Sequence, residues 1–459
     1  MGEMPVPHDA LYGASTARAV QNFPIARRPI PREVIHAFGH LKAACAIANN
    51  RLGKLDEPKS RAIVGVSDEV ARGLHDAHFP VDVYQTGSGT SSNMNANEVI
   101  ARLATKLLGS TSPDSPAHDA IHPNDHVNMG QSSNDTFPTA MHIAAAVAIE
   151  GPLTAAMTRL FEALTEKSRA WDDVVKIGRT HLMDATPIRV GQVFGGYAHQ
   201  IHNALERLSH AAGNVQELAI GGTAVGTGIN THARFAELVC EELRERLGLQ
   251  FREAENHPEA QATRDSTVEA HAYLKTIAVS LSKIANDIRH LASGPRCGIF
   301  ELSIPAIQPG SSIMPGKENP VLCESVMQVA CRVIGNDATI TMAALGGVGS
   351  IFELNVAMPV MIDAMMESIN LLTNVTNVFV DKLLIPLRVN AERCESLVEQ
   401  SLMMITPLAP VIGYDRAASV AKQAFATGRT IREIVIEQNI LPIEEVDRLL
   451  HLRRMTEPD

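Results

Sequence analysis

Apolar residues recur at alternating intervals of three and four along two unbroken runs in the middle of the chain. One run is Phe194, Tyr197, Ile201, Ala204, Leu208, Ala211, Val215 and Leu218. The other is Leu274, Ile277, Leu281, Ile284, Ile288 and Leu291. That spacing is the a/d seam of long helices packed at shallow angles, and no strand can follow it. Leu153, Met157, Leu160 and Leu164 repeat the theme, as do Val326, Val329 and Val333, then Leu372, Val375 and Phe379. Helices of about 25 to 30 residues would run roughly 40 to 45 Å. Aromatic residues make up only 4% of the 459, with Trp171 the single tryptophan, so such a bundle has an aliphatic core. It is thin for a monomer and is expected to bury more surface against copies of itself.

Three parts are expected around this all-α core. Residues 1–130 form a small, mainly helical domain, with shorter helices, many Pro and Gly, and a polar loop at Gly109 to Pro116. Residues 131–388 form the central bundle of long helices. Residues 389–459 form a small helical domain, punctuated by Thr406-Pro407, Ala409-Pro410 and Gly413-Tyr414-Asp415. The net charge of −11 argues against a nucleic-acid or anionic-membrane partner, since both need clustered Lys and Arg. It does not exclude a small dianion, which needs only a locally positive site. Cys45, Cys240, Cys297, Cys323, Cys331 and Cys394 are scattered with no C-x-x-C, as expected of reduced thiols in a cytoplasmic protein. The first residues carry no basic region followed by an apolar run. The apolar stretch Ala140 to Ile149 reads as too short to span a bilayer.

The chemistry lies between the helices. Gly310-Ser311-Ser312-Ile313-Met314-Pro315-Gly316-Lys317-Glu318-Asn319-Pro320 is bounded and bent by Gly and Pro, so it is a loop with special backbone needs. Its successive N–H groups can hold a negative charge, and Lys317 adds a cation. A serine in such a nest ionises more easily, and the nest would also stabilise an anionic intermediate.

Thr86-Gly87-Ser88-Gly89-Thr90-Ser91-Ser92-Asn93-Met94-Asn95, with Asn97-Glu98 expected to open a helix, suits a carboxylate at a helix N-terminus. An ordinary turn is the plainer reading, and a phosphate loop lacks its lysine here. His118, His122 and His126 recur every four residues, but Pro116 and Pro123 break any helix that would align them, so no metal site is expected. Ser132, Ser133 and Asn134 offer hydroxyls and an amide to a carboxylate. In Gly178-Arg179-Thr180-His181, the histidine lies just before a long helix and can titrate near neutral pH. Glu324, after the Gly310 loop, could steady that imidazole. Gly221 to Gly228 reads as a helix-terminating turn, because no strand is expected before it.

Together these segments, from about Leu11 to beyond Tyr414, resemble the class II fumarases of the aspartase/fumarase superfamily. Phe352-Glu353-Leu354-Asn355-Val356 fits the same pattern. The resemblance implies an all-helical, three-domain lyase fold whose central bundle joins four-fold into a homotetrameric core. It implies sites shared by three subunits, a small dicarboxylate substrate and no cofactor. It makes Ser311 the base at carbon. His181, acting through a water and steadied by Glu324, becomes the acid/base at the hydroxyl. Ser88, Thr90, Ser132, Ser133, Asn134, Thr180, Ser312, Lys317 and Asn319 would hold the carboxylates, and His122, Asn124 and Asp125 would form a secondary site. Aspartate ammonia-lyases share the loop, and Arg18 to Phe23 leans towards them, whereas Ser88, His122 and Ser133 side with fumarase. A silent lyase-fold binding protein should have lost its catalytic side chains, and here they are present. Two departures stand out: Asp119, where an arginine is common at the secondary site, and Glu318 beside the expected dianion pocket.

Overall fold

A computed structural model describes residues 2–109 and 120–458. The readings of His118, Asp119 and most of the Gly109–Pro116 loop lie outside these residues. Helices α1 (Ala14–Asn22), α2 (Arg32–Arg51), α3 (Glu57–Ala71) and α4 (Thr90–Leu107) are followed by α5 (Ser133–Ala148) and α6 (Thr154–Ala170). A hairpin of β1 (Val175–Thr180) and β2 (Met183–Arg189) leads into α7 (Val190–Asn214). Then come β3 (Glu217–Leu218), α8 (Phe235–Leu247), β4 (Arg252–Glu253), α9 (His257–Ala262), α10 (Asp265–Leu291), β5 (Leu302–Ser303) and α11 (Val321–Ala344). After β6 (Ser350–Ile351), β7 (Leu354–Asn355), α12 (Met358–Phe379) and β8 (Arg388–Val389), five short helices close the described chain, α13 (Ala391–Gln400) to α17 (Ile443–Leu449). Among the described residues the strands pair only as two-stranded ribbons, so the fold is all-α.

The seams behave as their period requires. Every residue of the Phe194–Leu218 run is at most 3% exposed, and the Leu274–Ile288 positions at most 4%. The first seam outlasts its helix: α7 ends at Asn214, and Val215 and Leu218 stay buried in the turn and β3. The apolar run at Ala140–Ile149 is also part of something longer. A helical stretch from Ser133 to Ala170 carries an apolar window long enough to cross a membrane, and 67% of that window is buried inside the protein. It is built as a core helix, with a π-helical turn at Ile149–Leu153 accommodating Pro152.

Two compact units divide the chain. One comprises residues 1–155, 206–278 and 331–373, and the other 156–205, 279–330 and 374–459. In the first, Glu98 joins distant segments: its carboxylate accepts from the N–H groups of Gly13, Ser15 and Thr16 and from the Thr16 hydroxyl. Glu98 therefore caps α1 rather than opening a helix of its own, and α4 starts seven residues before Asn97, at Thr90. In the second unit, Val398, Met404, Leu408, Val420, Ile431, Ile434 and Val446 pack with Ile177 of β1 into an apolar cluster of the C-terminal segment.

Candidate active site

In the first unit, the Thr86 segment is held by close backbone approach. The Gly87 carbonyl accepts from Met358 N–H at 3.1 Å, and a Cβ on Gly87 would lie 1.7 Å from the Val356 carbonyl oxygen. Only glycine fits there, and this is how the Phe352–Val356 run supports the loop. The Ser88 hydroxyl bonds to Thr90 Oγ1 at 2.8 Å, and Thr90 Oγ1 to Ser133 Oγ at 2.8 Å. Three of the expected carboxylate-binding hydroxyls thus form one chain linking the start of α4 to the start of α5.

Ser132 and Asn134 are engaged differently. Ser132 Oγ accepts from Asn134 N–H, and Asp135 accepts from Ser132 N–H, completing a capping box on α5. The Asn134 side chain donates to the Ala224 carbonyl at 2.9 Å. Asp135 is fully buried and also accepts from Gly221 and Thr223 N–H. Burial pushes its carboxyl up to about 6 against the pull of those bonds. The Gly221–Gly228 turn therefore supports the start of α5, and it follows strand β3 rather than the end of a helix. The pattern Ser132-x-x-Asp135 is the sequence signal for this role.

His122 and His126 hold a π-helical turn, Pro123–Val127: His122 Nδ1 accepts from Asp125 N–H, and His126 Nδ1 from His122 N–H. His122, Asn124 and Asp125 share this exposed turn. Among the described residues no cluster of His, Cys, Asp or Glu could hold a metal.

In the second unit, Thr180 and His181 lie at the tip of the β1–β2 hairpin. Thr180 pairs with Met183, so His181 and Leu182 are the two turn residues, at φ 56° and 64°. Such a turn normally takes Asn-Gly, and each non-glycine residue held there costs of order 1 kcal/mol or more. The tip is exposed, with Leu182 at 83% and Met183 at 69%. Its base is anchored by Lys176 and Arg179, 3.2 and 2.9 Å from the buried carboxylate of Glu301.

The Gly310 loop is closed at its neck. Gly310 N–H donates to the Lys317 carbonyl at 2.9 Å, and the Asn319 side chain donates to the Gly310 carbonyl at 2.7 Å. A Cβ on Gly310 would meet the Lys317 oxygen at 2.3 Å. Inside the loop, Ser311 Oγ accepts from the N–H groups of Ile313 at 3.3 Å and Met314 at 3.1 Å. An oxygen receiving two N–H donors is stabilised as an anion. Ser312, Lys317 and Glu318 are exposed, and Lys317 makes no ion pair among the described residues. Glu324 lies in the first turn of α11. No hydrogen bond joins Ser311, His181 and Glu324 to one another among the described residues.

This arrangement, a serine oxygen in an N–H nest and a separate chain of hydroxyls, is set on an all-helical frame. The sequence model of the family described as Lyase matches residues 2–335, and that described as Fumarase C C-terminus matches residues 404–457. The class is therefore a lyase. Curated relatives include the class II fumarate hydratase of Mycobacterium tuberculosis, 51% identical over 100% of this chain and 95% of its own length. That of Bacillus subtilis is 47% identical over 100% and 98%. A crystal structure of class II fumarase from Schistosoma mansoni superposes with a TM-score of 0.94 at 38% identity, covering 100% of this chain and 98% of its own. One of a fumarate lyase:delta crystallin from Brucella melitensis bound to cobalt gives 0.94 at 42%, with the same coverage. The chain belongs to the class II fumarate hydratase family.

Proposed function

We propose that this chain catalyses the reversible anti addition of water to fumarate, giving (S)-malate, with Ser311 as the base at carbon. The observation that carries this is the pair of N–H donors on Ser311 Oγ. In the dehydration direction, the ionised Ser311 oxygen, held by these N–H groups, takes the proton on the carbon beside a carboxylate and becomes the neutral hydroxyl. That carboxylate then bears a second negative charge, which Lys317, Asn319 and the loop N–H groups stabilise. His181, through a water and steadied by Glu324, protonates the departing hydroxyl, and fumarate and water result. Ser88, Thr90, Ser132, Ser133, Asn134, Thr180 and Ser312 hold the two carboxylates. His122, Asn124 and Asp125 form a secondary site on their exposed turn.

We further infer a homotetramer with each site shared by three subunits. The apolar side chains left open support it: Leu182 and Met183 at the hairpin tip, and Ile334 and Met342 on α11 with Leu345 just beyond its end, exposed by 45%, 54% and 45%. In this reading residues 1–130, 131–388 and 389–459 are the three domains, and the free state of all six cysteines suits the cytoplasm. Following fumarate absorbance with malate and with aspartate under matched conditions tests the activity. Malate is expected to turn over with little or no ammonia release from aspartate, and faster turnover of aspartate would reverse the assignment.

A further inference from the structure

Lys42 on α2 is fully buried, and its ammonium donates to two neutral oxygens, Asn128 Oδ1 at 3.0 Å and Gln131 Oε1 at 2.8 Å. Among the described residues it makes no ion pair. Asn128 Oδ1 also accepts from the side chains of Asn93 and Asn97, each at 3.2 Å, so one carbonyl oxygen gathers three donors. Burying an ammonium against amides alone is costly. On an alanine-rich helix such as α2, an apolar side chain would fill the space at lower cost.

The position explains what the cost achieves. Asn93 and Asn97 belong to α4, which begins at Thr90, and Asn128 and Gln131 lead directly into Ser132–Asn134. The cation is bonded to the second of these segments and, through Asn128, to the first. Asp135 and Cys45 are the titratable groups that act on it, both favouring its charge, while burial lowers it to about 8.

We infer that Lys42 is a positioning residue for dianion binding: it ties the start of α4 to the Ser132–Asn134 segment, and its charge, hydrogen-bonded only to neutral oxygens, favours carboxylates at their hydroxyls. This rests on the proposed function.

The test uses Lys42→Met in the full chain, with KM and kcat for fumarate and malate, inhibition by succinate, and Tm. KM and the succinate inhibition constant are expected to rise about tenfold, the order of effect of a buried charge on a dianion. The change in kcat should be smaller, and Tm should change little, because relief of the ammonium's desolvation is offset by loss of the donor to Gln131 Oε1. In the wild type, KM should climb above pH 8 as the ammonium deprotonates, a rise that Lys42→Met lacks. Unchanged KM and inhibition constants overturn the inference, and so does a KM rise that merely follows a fall in Tm. Should Lys42→Met fail to fold, Asn128→Asp decides, because it sets a carboxylate against the ammonium. It should weaken succinate binding similarly, and wild-type affinity in the folded variant overturns the charge effect. Succinate binding is read by thermal stabilisation without turnover. A wild type that binds succinate but does not hydrate fumarate therefore sinks the functional reading and leaves this one standing.

Discussion

Ser88, Thr90 and Ser133 form a continuous hydrogen-bond chain on a buried frame, whereas His181, Ser312 and Lys317 stand on exposed loops. The first group is fixed by contacts within one unit: Gly87 against Val356, the capping box at Ser132, and Asp135 bonded to Gly221 and Thr223. The second group is fixed only from behind, by the Glu301 ion pairs under the hairpin and the neck of the Gly310 loop. Groups that hold a dianion gain from being rigid before it arrives. In the reading proposed above, His181, Ser312 and Lys317 are left open because other copies of the chain complete their surroundings.

The sharpest way to break this comparison is to remove the reacting groups. Ser311→Ala and His181→Asn should each lower kcat by about 10² or more, as for loss of a positioned base or acid. Tm should not move, since both side chains lie outside the packed core. Near-normal activity in Ser311→Ala would remove the proposed base.

Two glycines contrast the regions directly. Gly87→Ala drives a Cβ into the Val356 carbonyl inside a packed unit, and should destabilise the protein by roughly 2 kcal/mol or more along with its activity. Gly310→Ala meets the Lys317 carbonyl in an exposed loop. Activity should fall about tenfold or more through misplacement of Ser311, while the denaturation midpoint stays near wild type. Equal losses of stability would erase the distinction.

Ser311→Ala and His181→Asn also test whether the exposed groups meet across subunits. Co-refolded at 1:1, each site would draw its serine and its histidine independently, so about a quarter of sites should be whole. Mixing pre-formed oligomers should restore nothing until subunits exchange. Hybrid oligomers, verified by mass, that stay as inactive as their parents would place both residues in one chain.

The helical seams were legible because a three-four repeat admits one kind of element, and the burial of Phe194 through Leu218 follows it. The Gly310 loop was legible as a loop because Gly310, Pro315, Gly316 and Pro320 exclude a helix or strand interior, and its eleven positions together carried the family resemblance. The hairpin tip was not: Thr180-His181-Leu182-Met183 lacks the Asn-Gly of such a turn, and its strands show no clean alternation. The start of α4 was misplaced because Glu98 looks like a first-turn acid, yet its partners are 82 and 85 residues away. Lys42 left no trace in the pattern, since one lysine in a helix reads as a solvated side chain until burial is known.

The smallest effect expected concerns the rigid region alone. Asp135 and His142 both sit on α5, and burial shifts them oppositely: the carboxyl is pushed up to about 6 and the imidazole pushed down to about 4. The native state holds the Asp135 proton more tightly than the unfolded chain. Its contribution to stability is thus complete below the ordinary carboxylate value and is lost as pH rises through 6. His142 works in the other direction. The unfolded chain binds its proton more tightly, so stability increases as pH rises from 4 to the ordinary imidazole value. Between pH 4 and 6 the two slopes oppose each other, at up to about 1.4 kcal/mol per pH unit each. Among all contributions to the pH profile of stability, this pair should therefore add little in the wild type. Asp135→Asn leaves the His142 slope alone, and its denaturation midpoint should climb from pH 4 to 6 relative to wild type. His142→Asn should show the reverse. If both variants keep the wild-type profile, neither group is held as tightly as its burial implies, and the contrast between a fixed binding region and open reacting loops loses its electrostatic support.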